Sequence, residues 1–353
     1  MINIQRIDYV DTIKYICIMF VMLSHLDANT NLMWAFYSPF FLSAFFFVSG
    51  YVYKQKGDFK SFIYKKIRQL FIPWLFFSVF NIIISHILTF NYHSDLITEL
   101  KWNFLQIRGC GDGIWFVAAL FVAFIPFYFF IDRFEKVSKS SSGYTACIIA
   151  IVISWVLSVI SIVYSYNMPS DIYPWGSSAL PWHVEYIFQA MFYMVLGYMF
   201  RKYYEEYIDK YNSLRNRIIV LAIYLIIVYM PILLDIGMIL AIRIIYKFIS
   251  EIFGIAVVVM FAKVIKTNRY ISCVGQNTLI YFALHGKVYS LIQTLLKKYV
   301  GVLYADILGN VIASSVFGII FAVVISVILI IPTYIINRWF PFIIGRDYKK
   351  IKK

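Results

Sequence analysis

The sequence predicts an all-α polytopic membrane protein with about ten transmembrane helices, and three observations lead there. Of its 353 residues, 62% are hydrophobic and only 14% charged, where a soluble globular domain averages roughly 45–50% and 25%. The apolar excess runs along the whole chain instead of gathering in one segment. Runs such as "LFIPWLFFSVFNIIISHILTF" (70–90) and "SSVFGIIFAVVISVILIIPTYII" (314–336) are too long for barrel strands and lack their alternation. Without water, their backbone must satisfy itself in helices.

Windows of about 18–22 residues place the spans near 9–27, 35–53, 70–90, 113–131, 144–165, 183–200, 217–235, 239–262, 275–296 and 307–337. The first carries Lys14 and His25 within hydrocarbon. The second ends in Ser49 and Gly50, small residues that permit close helix contact. The third follows the basic segment "DFKSFIYKKIRQLFIPW" and is broken by Pro73. The fourth opens at Trp115, and the sixth at "LPWHVEY" with His183 and Glu185. Arg243, Lys247 and Glu251 recur at i, i+4 and i+8 in the eighth, forming a polar stripe, and His285 and Lys287 stand in the middle of the ninth. The tenth is long for one span and is expected to tilt or kink at Pro332.

The net charge of +14 reads as the positive-inside bias of a membrane protein, not as a nucleic-acid footprint. With the N-terminus inside, only Lys101, Arg108, Lys297 and Lys298 among the 32 lysines and arginines fall outside. Lys14, Arg243, Lys247 and Lys287 fall within spans, and the rest lie on the cytoplasmic side, so both termini are expected inside. Cys17, Cys110, Cys147 and Cys273 match neither a disulfide framework nor a metal site, and no metal is expected. No cleavable signal is expected at the N-terminus, because Lys14 interrupts its apolar stretch. No soluble domain is expected: residues 1–353 read as a single membrane-embedded domain, a helical bundle over about 7–337 with a basic cytoplasmic tail at 338–353.

Ionisable groups inside a span cost several kcal/mol unless they meet a partner or a wet cavity, so each one is a candidate. Lys14 and His25 are eleven residues apart, a rise of about 16 Å that returns to within roughly 20° of the same helix face. Asp11 precedes Lys14 by one turn and is placed to pair with it. Two readings of this stripe stand: Lys14 snorkels to the inner surface while His25 sits among headgroups, or the stripe lines a passage to an outward-facing reaction centre. In the second reading His25 takes a proton from a hydroxyl near neutral pH. Lys14, about 16 Å inward, holds an anionic group at a separation comparable to a phosphopantetheine arm. Lys65, Lys66 and Arg68 read either as anionic-lipid contacts or as a cationic mouth for nucleotide phosphates. Trp115 reads as an aromatic-belt residue or as part of a pocket. His183 and Glu185, two apart, are not expected to share a helix face.

The order of these motifs resembles the integral-membrane acyltransferase-3 family of bacterial O-acyltransferases. "YVDTIKYICIMFVMLSHL" supplies Asp11, Lys14 and, after ten intervening residues, His25. "FFFVSGYVYK", "KKIRQLFIPW", "GIWFVAALF", "FYMVLGYMF" and "TLIYFALHGKV" continue the likeness over about residues 7–337. The details are similar to fucose 4-O-acetylase-like surface-polysaccharide O-acetyltransferases.

The resemblance implies His25 as catalytic histidine, with Lys14 as its basic partner and Asp11 beside it. It implies acetyl-CoA as donor, a lipid-linked or surface-glycan sugar as acceptor, and a multi-pass protein of a bacterial cytoplasmic membrane in contact with lipid, as a homo-oligomer or alone. The family's Arg-x-x-Arg falls on Lys65-Lys66-Ile67-Arg68, where the first arginine is a lysine and a bidentate phosphate fork is lost while the charge stays. Trp115, Glu185 and His285 are the candidates for the substrate pocket. A soluble esterase-like domain carried by some members has no counterpart in these residues. The rival is a secondary transporter or flippase for a sugar or lipid-linked glycan, for which buried Lys and His are equally natural.

Overall fold

The computed structural model describes residues 7–26, 31–54, 57–88, 95–111, 113–139, 143–169, 172–234 and 237–347. Among these the regular elements are all helical, in the order α1 Asp8–Ser24, α2 Asn31–Tyr37, α3 Phe41–Tyr51, α4 Phe59–Lys66, α5 Ile72–Leu88, α6 Leu96–Leu105, α7 Trp115–Ser138 and α8 Gly143–Asn167. They continue with α9 Ile187–Met199, α10 Glu205–Tyr211, α11 Leu214–Leu233, α12 Leu240–Ala262, α13 Arg269–Gln276, α14 Thr278–Gly309, α15 Val311–Ile328 and α16 Ile330–Trp339. Side-chain caps mark several starts. Asp58 accepts from the Ser61 amide at 3.3 Å, Asp95 from Thr98 at 3.0 Å and Asn268 from Ile271 at 2.9 Å, each satisfying one of the amides that a helix start leaves without a partner.

Among the described residues, eight helical stretches are long and apolar enough to cross a membrane: Met33–Tyr51, Phe59–Ile87, Trp115–Ser138, Gly143–Asn167, Leu214–Leu233, Leu240–Ala262, Thr278–Gly309 and Val311–Trp339. These answer to eight of the ten expected spans. The other two are helical but not among the eight. The segment expected at 9–27 is the 17-residue α1. The segment expected at 183–200 opens on a 3-10 turn, Pro181–Tyr186, with left-handed Trp182 and His183, and its α9 passes directly into a π-turn at Phe200–Tyr204. The kink expected at Pro332 appears as a helix break at Leu329, since proline offers no N–H to the carbonyl four residues back. The ninth span runs further than expected, 32 residues with a kink at Val300.

Two compact units divide the chain: Met1–Val48 with Tyr204–Tyr334, and Ser49–Tyr203 with Ile335–Lys353. In the first, α1 packs on α12, α13, α14 and α15. Its Val10, Ile13, Cys17, Ile18, Val21 and Met22 are buried, so this helix is enclosed by protein over most of its length. Gly275 on α13 lies where a Cβ would collide with the Asp11 carbonyl, and Gly254 on α12 where one would collide with the Phe40 ring. Small residues thus set the closest approaches to α1 and to the α2–α3 corner.

In the second unit, α7 packs on α8 and α9, and Gly50 abuts the backbone of Met194, as the small pair Ser49–Gly50 suggested. A five-residue π-turn, Ile67–Phe71, links α4 to α5. Pro73 cannot donate to the Gln69 carbonyl, and the ladder slips one residue there. The C-terminal segment seats on this turn: Gly345 (φ +67°) leaves no room for a side chain against Arg68 O.

Candidate functional site

In the first unit, α1 carries Asp11 and Lys14, and His25 stands at its C-terminal cap. Asp11 is buried, Lys14 is half-buried one turn on, and His25 follows the last helical residue, where its side chain is exposed. Around the opposite end lies a polar network. Tyr9 donates to Glu205 at 2.6 Å, and Lys263 pairs with Glu205 at 3.0 Å and Asp209 at 2.8 Å. The hydroxyls of Thr12 and Thr267 meet at 2.8 Å. These bonds hold the N-terminal turns of α1 to α10 and to the chain after α12.

His25 stands beside His285. Their ring centroids are 5.0 Å apart with planes tilted 46°. His285 lies on α14 among apolar side chains, buried, with Nδ1 3.1 Å from the Tyr281 carbonyl and 2.9 Å from that of Phe282. The His25–His285 pair was not foreseen. The signal for it was present in outline, since His285 is a mid-span histidine, but nothing in its spacing names a partner on α1.

On α12, Lys247 pairs with Glu251 at 2.6 Å, and Glu251 is buried. Of the expected Arg243–Lys247–Glu251 stripe, the step from Lys247 to Glu251 is this ion pair.

The second unit holds the other candidates. Lys65, Lys66 and Arg68 diverge. Lys65 points outward, Lys66 Nζ lies 3.3 Å above the Phe124 ring centroid and 5.7 Å from that of Phe62, and Arg68 Nη2 meets Asp347 Oδ1 at 2.5 Å. The cationic mouth is therefore a loose row, with one member over aromatic faces and one already holding a carboxylate.

Trp115 opens α7 beneath Arg108, whose guanidinium is 5.7 Å from the indole ring. The same indole contacts His183 at 5.3 Å and Tyr186 edge-on at 5.7 Å. Glu185 Oε2 accepts from the Leu180 amide at 2.9 Å, and Oε1 lies 4.0 Å from His183 Nδ1. The helix-face argument that separated His183 from Glu185 fails, because the segment is not α-helical there. All four non-glycine residues with positive φ among the described residues, Gln106, Ile114, Trp182 and His183, lie in or beside this cluster. Such conformations cost of order 1–3 kcal/mol each. His183 and Arg108 are thus the residues that sequence reasoning left out of the Trp115 group.

A family model described as an acyltransferase domain matches residues 7–331, from just before α1 to the start of α16. Searches of curated proteins and of solved structures each return no match.

Proposed function

The chain belongs to the acyltransferase-3 family, and on that premise we propose that it is an O-acetyltransferase moving an acetyl group from acetyl-CoA to a sugar hydroxyl of a lipid-linked or surface glycan. Its membrane is, in this reading, a bacterial cytoplasmic membrane. The observation that carries the proposal is the exposed His25 at the end of a helix otherwise enclosed by protein, facing a second, buried histidine at 5.0 Å.

His25 acts as general base. It takes the proton of the acceptor hydroxyl as that oxygen attacks the thioester carbonyl. The carbon–sulfur bond breaks, the ester forms, and the proton on His25 passes to the departing thiolate, which restores the neutral imidazole. Lys14, with Asp11 one turn away, is a cation for an anionic group of the donor. Lys65, Lys66 and Arg68 hold donor phosphates, and Trp115 and Glu185 shape the acceptor pocket.

Full-length protein in lipid nanodiscs with acetyl-labelled acetyl-CoA and glycan extracts tests this reading. Label appears on glycan with the natural chain and is absent with His25→Ala. Undiminished labelling by His25→Ala overturns the mechanism. Glycan movement without label overturns the enzyme reading in favour of a carrier.

A further inference from the structure

The two imidazoles at the end of α1 are in different chemical situations. His285 Nδ1 faces two backbone carbonyls, at 3.1 and 2.9 Å. Carbonyl oxygens only accept, so Nδ1 carries a proton, and in the neutral ring Nε2 then holds the lone pair. The ring is buried, with Phe282 at 6.1 Å. A neutral imidazole presents an acceptor at this depth without the desolvation penalty of a carboxylate. His25 is exposed and lies past the last residue of α1, so its helix does not fix the ring. In the described structure the two rings touch. Their 5.0 Å centroid separation is short enough for nitrogens of the two rings to come within hydrogen-bond reach, about 3 Å, when the exposed ring turns.

We propose that His285 is a positioning residue for His25: its Nε2 accepts the N–H of the His25 ring and thereby directs the other His25 nitrogen, with its lone pair, at the acceptor hydroxyl. The proposal rests on the reading of His25 as general base. During transfer the hydroxyl proton enters at the outward nitrogen of His25 and leaves from that nitrogen to the thiolate sulfur. The N–H bonded to His285 stays in place, and His285 keeps its Nδ1 proton throughout. Orientation of a catalytic imidazole through its second nitrogen is a general device; here the orienting group is itself an imidazole anchored to the helix backbone.

Diethyl pyrocarbonate, which acylates unprotonated imidazole nitrogen, probes the arrangement without any substrate. The full chain in nanodiscs is treated with the reagent, and modification of His25 is followed by mass spectrometry. Labelled acetyl transfer is measured in parallel. His285→Phe, which keeps a ring without nitrogen, is expected to slow His25 modification several-fold. It is expected to lower kcat about 10²-fold, the lower range for a displaced acid–base group, with KM for acetyl-CoA unchanged. His285→Gln, whose amide oxygen can accept a hydrogen bond, restores most of both quantities. Equal behaviour of the Phe and Gln variants overturns the proposal, whether both match the natural chain or both are inactive while folded. Retained transfer by His25→Ala with the predicted reagent pattern intact removes the general-base reading alone.

Discussion

Arg68 and Asp347 stand 2.5 Å apart, joining the π-turn after α4 to the C-terminal segment. One of the cations assigned to donor phosphates therefore already has an anionic partner, which a phosphate must displace. Asp347 is largely exposed, so the pair is weak and readily displaced. Asp347→Asn is expected to tighten binding of acetyl-CoA, or of adenosine 3′,5′-bisphosphate, by no more than about fivefold, as suits an exposed pair. Arg68→Gln weakens it, and the double variant resembles Arg68→Gln. Equilibrium dialysis with the labelled nucleotide measures all three.

Gly275 has the Asp11 carbonyl where a Cβ would stand. Backbone cannot move aside as a side chain does, so Gly275→Ala is expected to lose at least about 1–3 kcal/mol, the usual cost of overpacking. Gly301, with open space where a Cβ would stand, is the control. Gly301→Ala is expected to be neutral or stabilising by up to about 1 kcal/mol. Thermal unfolding in detergent, read by tryptophan fluorescence, compares the two.

The Lys247–Glu251 pair is buried on its acidic side. Lys247→Met alone removes the cation that faces that buried carboxylate, with an expected cost of about 3–5 kcal/mol. Lys247→Met with Glu251→Leu is expected to recover most of the loss, as apolar replacement of a buried pair does. A double-mutant cycle on unfolding midpoints checks this, and equal midpoints for the single and double variants contradict it.

Lys14 lies near the middle of α1 and His25 just past its C-terminal end, so their substitutions are expected to separate kinetically. Lys14→Gln raises KM for acetyl-CoA, by about tenfold if one charge-assisted hydrogen bond is lost. His25→Gln lowers kcat by about 10²–10⁴-fold. Steady-state rates at several donor concentrations distinguish the two effects.

Most of the secondary structure was legible because membrane helices are written in composition. Eight expected spans reappear among the described residues, and even the break near Pro332 followed from one missing N–H. Less legible were α1 and α9. A hydropathy window counts apolar residues but does not register that Asp8 begins a helix and Ser24 ends it, or that His183 takes a left-handed backbone. The candidate residues were legible one at a time, as charges or imidazoles that hydrocarbon does not tolerate without a reason. Their groupings were not. Lys65, Lys66 and Arg68 are neighbours in sequence and turn to three different surroundings, because successive helical residues point about 100° apart and their partners Phe124 and Asp347 come from distant parts of the chain.

Composition by itself determined that this chain is helical and built for a membrane, since the bilayer leaves no other way to satisfy a long apolar backbone. The sequence also placed Lys14 and His25 about three turns apart, and α1 spans nearly all of that interval, ending at Ser24. Only the tertiary structure decided that α1 is enclosed by four neighbouring helices, that His285 on α14 meets His25, and that Arg68 is held by Asp347. Those contacts join residues far apart in sequence, and the fit of helix against helix, down to a glycine where no side chain has room, is fixed by packing and has no local signature in sequence.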